Sequence, residues 1–262
     1  MFAQIGRSLR VSRIFSKDGR TLIVGLDSAF INSLVENLLW TRSVLTSVLK
    51  SKPDAVILAK GQLTGLEDLI GGRGPAVLLR SDFTNALQAH PALPRRKLEH
   101  VKLVDAREAL TLGVEGIAAY LLVGDEDEEA RSIRIVSKLV SGCRRLGLPL
   151  LVESTAIGER VTQANRLDCL KLAVRMAVEA GADLVAAPYV EGEDSMRAVV
   201  EVAGQTPVIA VDDPEKPLSE LANAISAGCA GLVLRERLAS SSVEETVAEA
   251  GLLVHGVKDA DR

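Results

Sequence analysis

TLGVEGIAA (111–119), RLGLPLLV (145–152), EAGADLVAA (179–187) and SAGCAGLVL (226–234) all read the same way: a helix end, a glycine, a small residue, then an apolar run. Glycine enters the left-handed conformation that ends a helix without a Cβ clash, so each stretch is a helix-to-strand joint. Working outward, the same kind of run appears at 21–26, 54–59, 75–80, 115–123, 148–153, 182–187, 206–211 and 230–234, which makes eight. The runs are continuous rather than alternating, as in strands buried on both faces. Strands that alternate with longer amphipathic stretches predict a parallel sheet covered by helices. Eight such units in 262 residues fit a single (β/α)8 TIM barrel over 1–262, preceded by a short N-terminal helix at about 1–20. The rival, an open doubly wound sheet, lacks its signature. No GxGxxG follows the first strand, and GGRG (71–74) precedes a strand and reads as a loop.

The spacing places helices over Asn32–Lys50, Asp105–Leu112, Glu126–Leu146, Leu167–Ala180, Pro217–Ala227 and Val243–Leu253. The third begins with acidic residues and ends in Arg144-Arg145-Leu146-Gly147, which matches the helix dipole and its stop signal. The start, MFAQIGRSLRVSRIFSKDGR, is basic and acid-poor like a transit peptide, but it has no small-residue cleavage site. It reads as a helix packed by Phe2, Ile5, Leu9 and Phe15.

Apolar residues make up 47 % and charged residues 25 %, ordinary for a globular chain and against disorder. With 31 basic and 35 acidic side chains, nothing points to nucleic acid as a partner. Runs such as Ile117–Val123 are too short to span a bilayer. Cys143, Cys169 and Cys229 form no CxxC pair, as expected of reduced thiols in a cytoplasmic protein.

In a barrel, reacting groups sit at the C-terminal ends of the strands. Those ends carry Asp27, Lys60, Arg80-Ser81-Asp82, Asp125, Glu153-Ser154-Thr155, Tyr189, Asp212-Asp213 and Arg235-Glu236-Arg237. So many carboxylates raise one another's pKa unless cations sit among them. Each has a structural reading: Asp27 as a turn cap, Arg80 as the partner of Asp82, Asp212-Asp213 as a solvated loop. Lys60 is open to two readings, a Schiff-base nucleophile with a lowered pKa or a counter-ion for Asp27 or Asp82. His90, His100 and His255 fall in loops or helices and read as surface residues, which argues against zinc.

TLIVGLDSAF, PDAVILAKGQL, GPAVLLRSDFTNAL, VDAREALTLGVEGIAAYLLVGDEDEEA, RLGLPLLVE and GADLVAAPYVEGEDSMRAVVEVAGQTPVIAV, in that order and spacing, resemble the archaeal-type class I fructose-bisphosphate aldolases and their deoxyribose-phosphate aldolase-like relatives over roughly Thr21–Ser240. The resemblance implies an aldolase-like barrel that works as a homo-oligomer on a small carbonyl substrate, without a cofactor or a membrane. It also implies an aspartate at the end of strand 1, a Schiff-base lysine at the end of strand 6, and glycine-rich phosphate loops after strands 7 and 8. Asp27 matches the aspartate. The lysine position falls on Ala186, and Asp212-Asp213 and Arg235-Glu236-Arg237 replace the phosphate-loop residues.

These departures leave three readings. The first is a divergent carbon–carbon lyase with Asp27, Lys60 and Glu153 catalytic and with Arg80, Ser81, Tyr189, Asp212 and Arg235 binding substrate. The second is a divalent-metal site built from Asp27, Asp82, Glu153 and Asp212, suited to Mg2+ or Mn2+. The third is a non-catalytic barrel.

Overall fold

The computed structural model describes residues 2–27, 41–72, 74–87, 97–239 and 242–256. Eight parallel strands close into a barrel: β1 (Thr21–Gly25), β2 (Ala55–Leu58), β3 (Ala76–Arg80), β6 (Gly116–Val123), β7 (Leu150–Ala156), β8 (Leu184–Pro188), β9 (Val208–Val211) and β10 (Gly231–Leu234), which pairs back with β1. They coincide with the eight apolar runs. The sequence did not reveal a two-stranded antiparallel ribbon, β4 (Asp82–Thr84) and β5 (His100–Lys102), inserted after the third barrel strand.

The helices that cover the barrel include α1 (Phe2–Ile14), α2 (Thr41–Lys50), α3 (Lys60–Leu63), α4 (Glu67–Ile70), α5 (Ala106–Thr111), α6 (Glu129–Leu146), α7 (Arg166–Ala180), α8 (Glu193–Ala203), α9 (Ala222–Ser226) and α10 (Val243–His255). The glycine stops behave as expected, with Gly147 and Gly181 ending α6 and α7 in the left-handed conformation. The helix expected over Asn32–Lys50 appears as α2, and 32–40 lie outside the described residues, as does His90. A 3-10 turn (Leu218–Leu221) leads into α9, so the expected Pro217–Ala227 helix is split. Among the described residues, no helix is long and apolar enough to cross a membrane.

The packing of α1 corrects the expectation in part. Phe2, Ile5 and Leu9 are exposed, whereas Phe15 packs as expected, beside Ile14, which is fully buried in the cluster of Ile23, Ala55, Leu78 and Leu184 inside the barrel. Ile14 thus plugs the N-terminal end of the barrel. The seam between β10 and β1 depends on Gly231, because a Cβ there would fall on the Thr21 carbonyl oxygen.

At the same end, His255 ties the last helix to the first strands. Its Nδ1 lies 2.7 Å from Asp18 Oδ2 and its Nε2 2.9 Å from Asp54 Oδ2. Asp54 also accepts from the Ser16 hydroxyl and from the Leu22 amide. His255 is therefore not a surface residue, its side chain being 3 % exposed. Burial would lower its pKa, but Asp54 and Asp18 outweigh burial and raise it. A histidine with a raised folded pKa gives stability that is complete below its unfolded pKa, about 6.5, and is lost as pH rises through the folded value. Replacing His255 with phenylalanine is therefore expected to lower Tm most below pH about 6.5, with the gap from wild type narrowing above it. Thermal melts across pH check this, and a pH-independent gap would refute the charged clasp.

Candidate active site

Inward-facing residues are set by strand parity. Register partners across parallel strands share a face, so Tyr120, Glu153 and Ala186 form one inward row across β6, β7 and β8. Arg80 enters this level from β3 and Arg235 from just past β10. Gly25 makes room for Arg235, since a Cβ there would lie 2.6 Å from its Nε.

Two guanidinium groups and three carboxylates fill the upper barrel. Arg80 Nε donates to Asp27 Oδ2 at 2.6 Å, Arg80 also reaches Asp82 Oδ1 at 3.4 Å, and its remaining nitrogen pairs with Glu153. Arg235 donates to Asp27 Oδ1 at 3.2 Å and to the two Glu153 oxygens at 2.6 and 3.1 Å. The side chains of Arg80, Asp27 and Asp82 are 0 % exposed. Burial alone would raise the Glu153 carboxyl, but Arg235 and Arg80 overcome it and hold it down at about 2. Burial would lower the Arg235 guanidinium, yet Asp27 and Glu153 raise it. Glu153, Arg80 and Arg235 therefore keep their charges throughout the neutral range. Arginine suits this role because its planar fork serves two carboxylates at once.

The ribbon fixes this network from behind. Asp82 Oδ2 accepts from the Tyr120 amide at 2.6 Å and pairs with His100 Nε2 at 2.7 Å, while His100 Nδ1 lies 3.1 Å from Ser132 Oγ. His100 was expected at the surface. It is instead fully buried in β5, because the antiparallel pairing of β4 and β5 folds it back over Asp82.

Above the network lies an open cavity of about 300 Å3, lined by residues that include Tyr120, Glu153, Ser154, Arg166, Ala186, Tyr189, Asp212, Asp213, Glu215 and Arg235. Of the expected site residues, Glu153, Tyr189, Asp212 and Arg235 line it. Asp27 and Arg80 lie in the ion network instead. The Ser81 hydroxyl donates to the Ala118 carbonyl at 3.1 Å. Lys60 is not brought to the cavity. It opens α3, its side chain is 53 % exposed, and its ammonium pairs with Glu108 at 2.7 Å. Neither counter-ion pairing expected for it, with Asp27 or with Asp82, is formed. The metal-ligand set fares similarly, since Asp27, Asp82 and Glu153 give their oxygens to Arg80 and Arg235, and Asp212 gives both of its oxygens to Arg237. Among the described residues, no group of three or more His, Cys, Asp or Glu is arranged to hold a metal ion.

One residue outside the expected set matters most. The hydroxyls of Tyr120 and Ser154 are both buried without a hydrogen-bond partner among the described residues, but only Tyr120 faces into the barrel, in the row of Glu153, whereas Ser154, one residue further along β7, faces the other way. A buried hydroxyl without a partner is costly, which marks Tyr120, a residue of the cavity wall, as a contact for a ligand or an ordered water. Burial pushes the Tyr120 phenol well above its ordinary pKa, so it remains a proton-bearing donor. The Arg80 guanidinium lies 4.3 Å from the centre of its ring. Parity within EGIAAYLLV could have found Tyr120, a polar-tipped ring two residues from the inward Ala118 in an otherwise apolar strand. Asp212, under the same roof, has its carboxyl raised by burial, which the Arg237 guanidinium only partly offsets.

A closed parallel barrel with polar groups gathered at the C-terminal strand ends defines a TIM-barrel protein. Residues 21–256 match the profile of DeoC/LacD family aldolases, and the chain belongs to that family. An uncharacterised aldolase of Saccharolobus solfataricus is 24 % identical over 255 residues, covering 94 % of this chain and 93 % of the relative. The 2-amino-3,7-dideoxy-D-threo-hept-6-ulosonate synthase of Halobacterium salinarum is 26 % identical over 230 residues, covering 87 % of this chain and 83 % of its own. A Schiff-base-forming fructose-1,6-bisphosphate aldolase shares the fold with a TM-score of 0.81 at 18 % identity, covering 95 % of this chain and all of that one.

Proposed function

We propose that this chain is a carbon–carbon lyase that activates a small carbonyl compound by hydrogen bonding, without an iminium on a cavity lysine. The observation that carries this reading is the unpartnered hydroxyl of Tyr120, an inward-facing residue of the strand-end cavity. A substrate carbonyl oxygen would accept from it. Tyr120 stays protonated, so an enolate oxygen, the stronger acceptor, is better bound than the ground-state carbonyl. Asp212 would take the proton from the β-hydroxyl of an aldol. The carbon–carbon bond then breaks, its electron pair passes to the carbonyl oxygen as an enolate, and the enolate carbon takes a proton back to give the second carbonyl product. A carboxyl raised by burial suits such proton exchange. The relatives' names, a heptulosonate synthase and an aldolase, support carbonyl chemistry as the class.

The test is exchange of α-protons of hydroxyacetone, dihydroxyacetone and pyruvate for deuterium, followed by NMR, with parallel borohydride trapping and intact-mass spectrometry. Exchange without a borohydride adduct is expected. Lys60→Ala should leave the exchange rate within roughly 2-fold, the scale of an exposed side chain away from the chemistry. An adduct mapped to Lys60, with loss of exchange in Lys60→Ala, would overturn this mechanism and make Lys60 the nucleophile. Absence of both exchange and binding would favour the non-catalytic barrel.

The family resemblance and the exposed row of Phe2, Ile5 and Leu9 on α1 support assembly as a homo-oligomer, which sedimentation reads directly. The free thiols of Cys143, Cys169 and Cys229 support a reducing, cytoplasmic setting.

A further inference from the structure

We infer that Arg237 is a positioning residue for proton transfer at Asp212: its guanidinium grips one carboxylate oxygen and leaves the other to exchange the proton. The inference rests on the base role of Asp212 in the lyase reading. Its own basis is the geometry behind that carboxylate. Arg237 stands in a 3-10 turn (Glu236–Ala239) just past β10, and Asp212 directly follows β9. Arg237 Nε and Nη2 reach Asp212 Oδ1 at 3.1 and 2.8 Å, and Nε also reaches Oδ2 at 3.1 Å. A carboxylate oxygen has about two acceptor positions. Among the described residues, those of Oδ1 are both taken, while Oδ2 only shares the Nε donor. The pair is buried at the cavity wall, with the Asp212 side chain 1 % exposed, so water is a poor substitute for the guanidinium.

The same guanidinium holds the loop that carries the carboxylate. Its Nη2 reaches the carbonyl oxygens of Asp213 and Lys216, each at 2.6 Å. The loop also closes on itself: the Lys216 amide donates to the Asp213 carbonyl at 3.1 Å, and the Glu215 amide to Asp213 Oδ1 at 3.0 Å. One side chain thus joins the ends of β9 and β10 and sets both the place and the orientation of Asp212. The planar fork of arginine suits this, since an ammonium is a point charge. The charged groups around Asp212 are Arg237, then Asp213, Glu215 and Lys216 on its own loop, then Glu153, Arg166 and Arg235 on the cavity wall. Burial raises the Asp212 carboxyl, Arg237 lowers it, and the Asp213 charge raises it. Arg235 is engaged with Glu153, and Lys216 with Glu191.

In α-proton exchange the carbon–hydrogen bond breaks, the proton passes to Oδ2, and the electron pair moves to the carbonyl oxygen as an enolate. A deuteron gained from solvent then returns from Oδ2 to the carbon. The cycle starts from the carboxylate form, so exchange rises with pH as Asp212 ionises.

Two readouts on the full chain test the inference: α-proton exchange of hydroxyacetone across pH, and the titration of the labelled Asp212 carboxyl by carbon NMR, which needs no turnover. Arg237→Met should move both the rise in exchange and the carboxyl titration upward by about 1 pH unit or more, the scale of one adjacent guanidinium. Arg237→Lys keeps the charge and loses the fork. It should leave the midpoint in place and lower the plateau by up to about 10²-fold, the cost of a misplacement of ~1 Å. If the methionine variant does not fold, the lysine variant decides, and an unchanged plateau overturns the inference. A staple with a structural role alone would lower Tm and scale exchange equally at every pH, which also overturns it. Exchange lost in Asp212→Asn but untouched by either Arg237 variant would overturn this inference and keep the lyase reading. No exchange in the wild type, with the carboxyl titration moved by Arg237→Met, would refute the lyase reading and keep the coupling of Arg237 to Asp212.

Discussion

Replacing Arg80 with methionine is expected to destabilise the protein by about 3–5 kcal/mol at pH 7, the cost of removing one partner from a buried ion pair. Arg80 touches Asp27, Asp82 and Glu153, and its side chain is wholly buried. Without it, Asp27 and Glu153 keep only Arg235, and Asp82 keeps the Tyr120 amide and His100. Water cannot reach these carboxylates easily, so the folded state would relieve them by binding protons. With Arg80 gone, one of the two guanidinium groups that hold the Glu153 carboxyl down is lost, its folded pKa rises, and the variant's deficit should shrink as pH falls below about 5. In the wild type the sign is opposite. Glu153 is held down, so its contribution is present above the unfolded pKa and is lost as pH falls toward about 2. Urea unfolding of both proteins at several pH values separates the two. Arg80→Met with Asp27→Asn and Glu153→Gln should recover much of the loss, because the uncompensated charges are gone. A loss below about 1 kcal/mol for Arg80→Met would show that the network is solvated rather than buried.

Tyr120→Phe is expected to slow α-proton exchange about 10²–10³-fold, the usual effect of losing one donor to a developing oxyanion. The same variant should keep or slightly raise Tm. It removes a buried hydroxyl with no partner among the described residues, so desolvation of an unsatisfied group is relieved rather than created. Phenylalanine at 120 retains the ring under the Arg80 guanidinium. This opposition of effects is diagnostic. A purely structural hydroxyl would move stability without touching turnover, whereas loss of exchange at unchanged Tm places the hydroxyl against the reacting oxygen.

The barrel was legible because its information is local. Each strand is an apolar run, each helix end carries a glycine, and both can be read within ten residues. The strand-end rule then located Glu153, Tyr189, Asp212 and Arg235 around the cavity. What the sequence hid depends on where long side chains turn. Lys60 follows β2 directly, yet its flexible stem swings out to Glu108 on α5. Arg80 and Arg235 sit where substrate-binding cations were expected, but three carboxylates capture them first. The ribbon of β4 and β5 has only three residues per strand and no hairpin signature between them, so its placement of His100 over Asp82 could not be read. In α1, apolar spacing suggested that Phe2, Ile5, Leu9 and Phe15 pack, while only Phe15 of these does, next to Ile14 at the helix end.

Ala186 bears on how this barrel could change over evolutionary time. It stands opposite Glu153 in the β7–β8 register and faces a network holding one more carboxylate than guanidinium group. A lysine introduced there by one substitution would arrive beside negative charge and stay an ammonium, whereas attack on a carbonyl needs the neutral amine. Recovering a reactive lysine at this position therefore requires several coordinated replacements, each intermediate carrying an unpaired buried ion. The ion network acts as a ratchet: once assembled, it holds the lineage away from lysine chemistry at this strand and leaves variation to the rim.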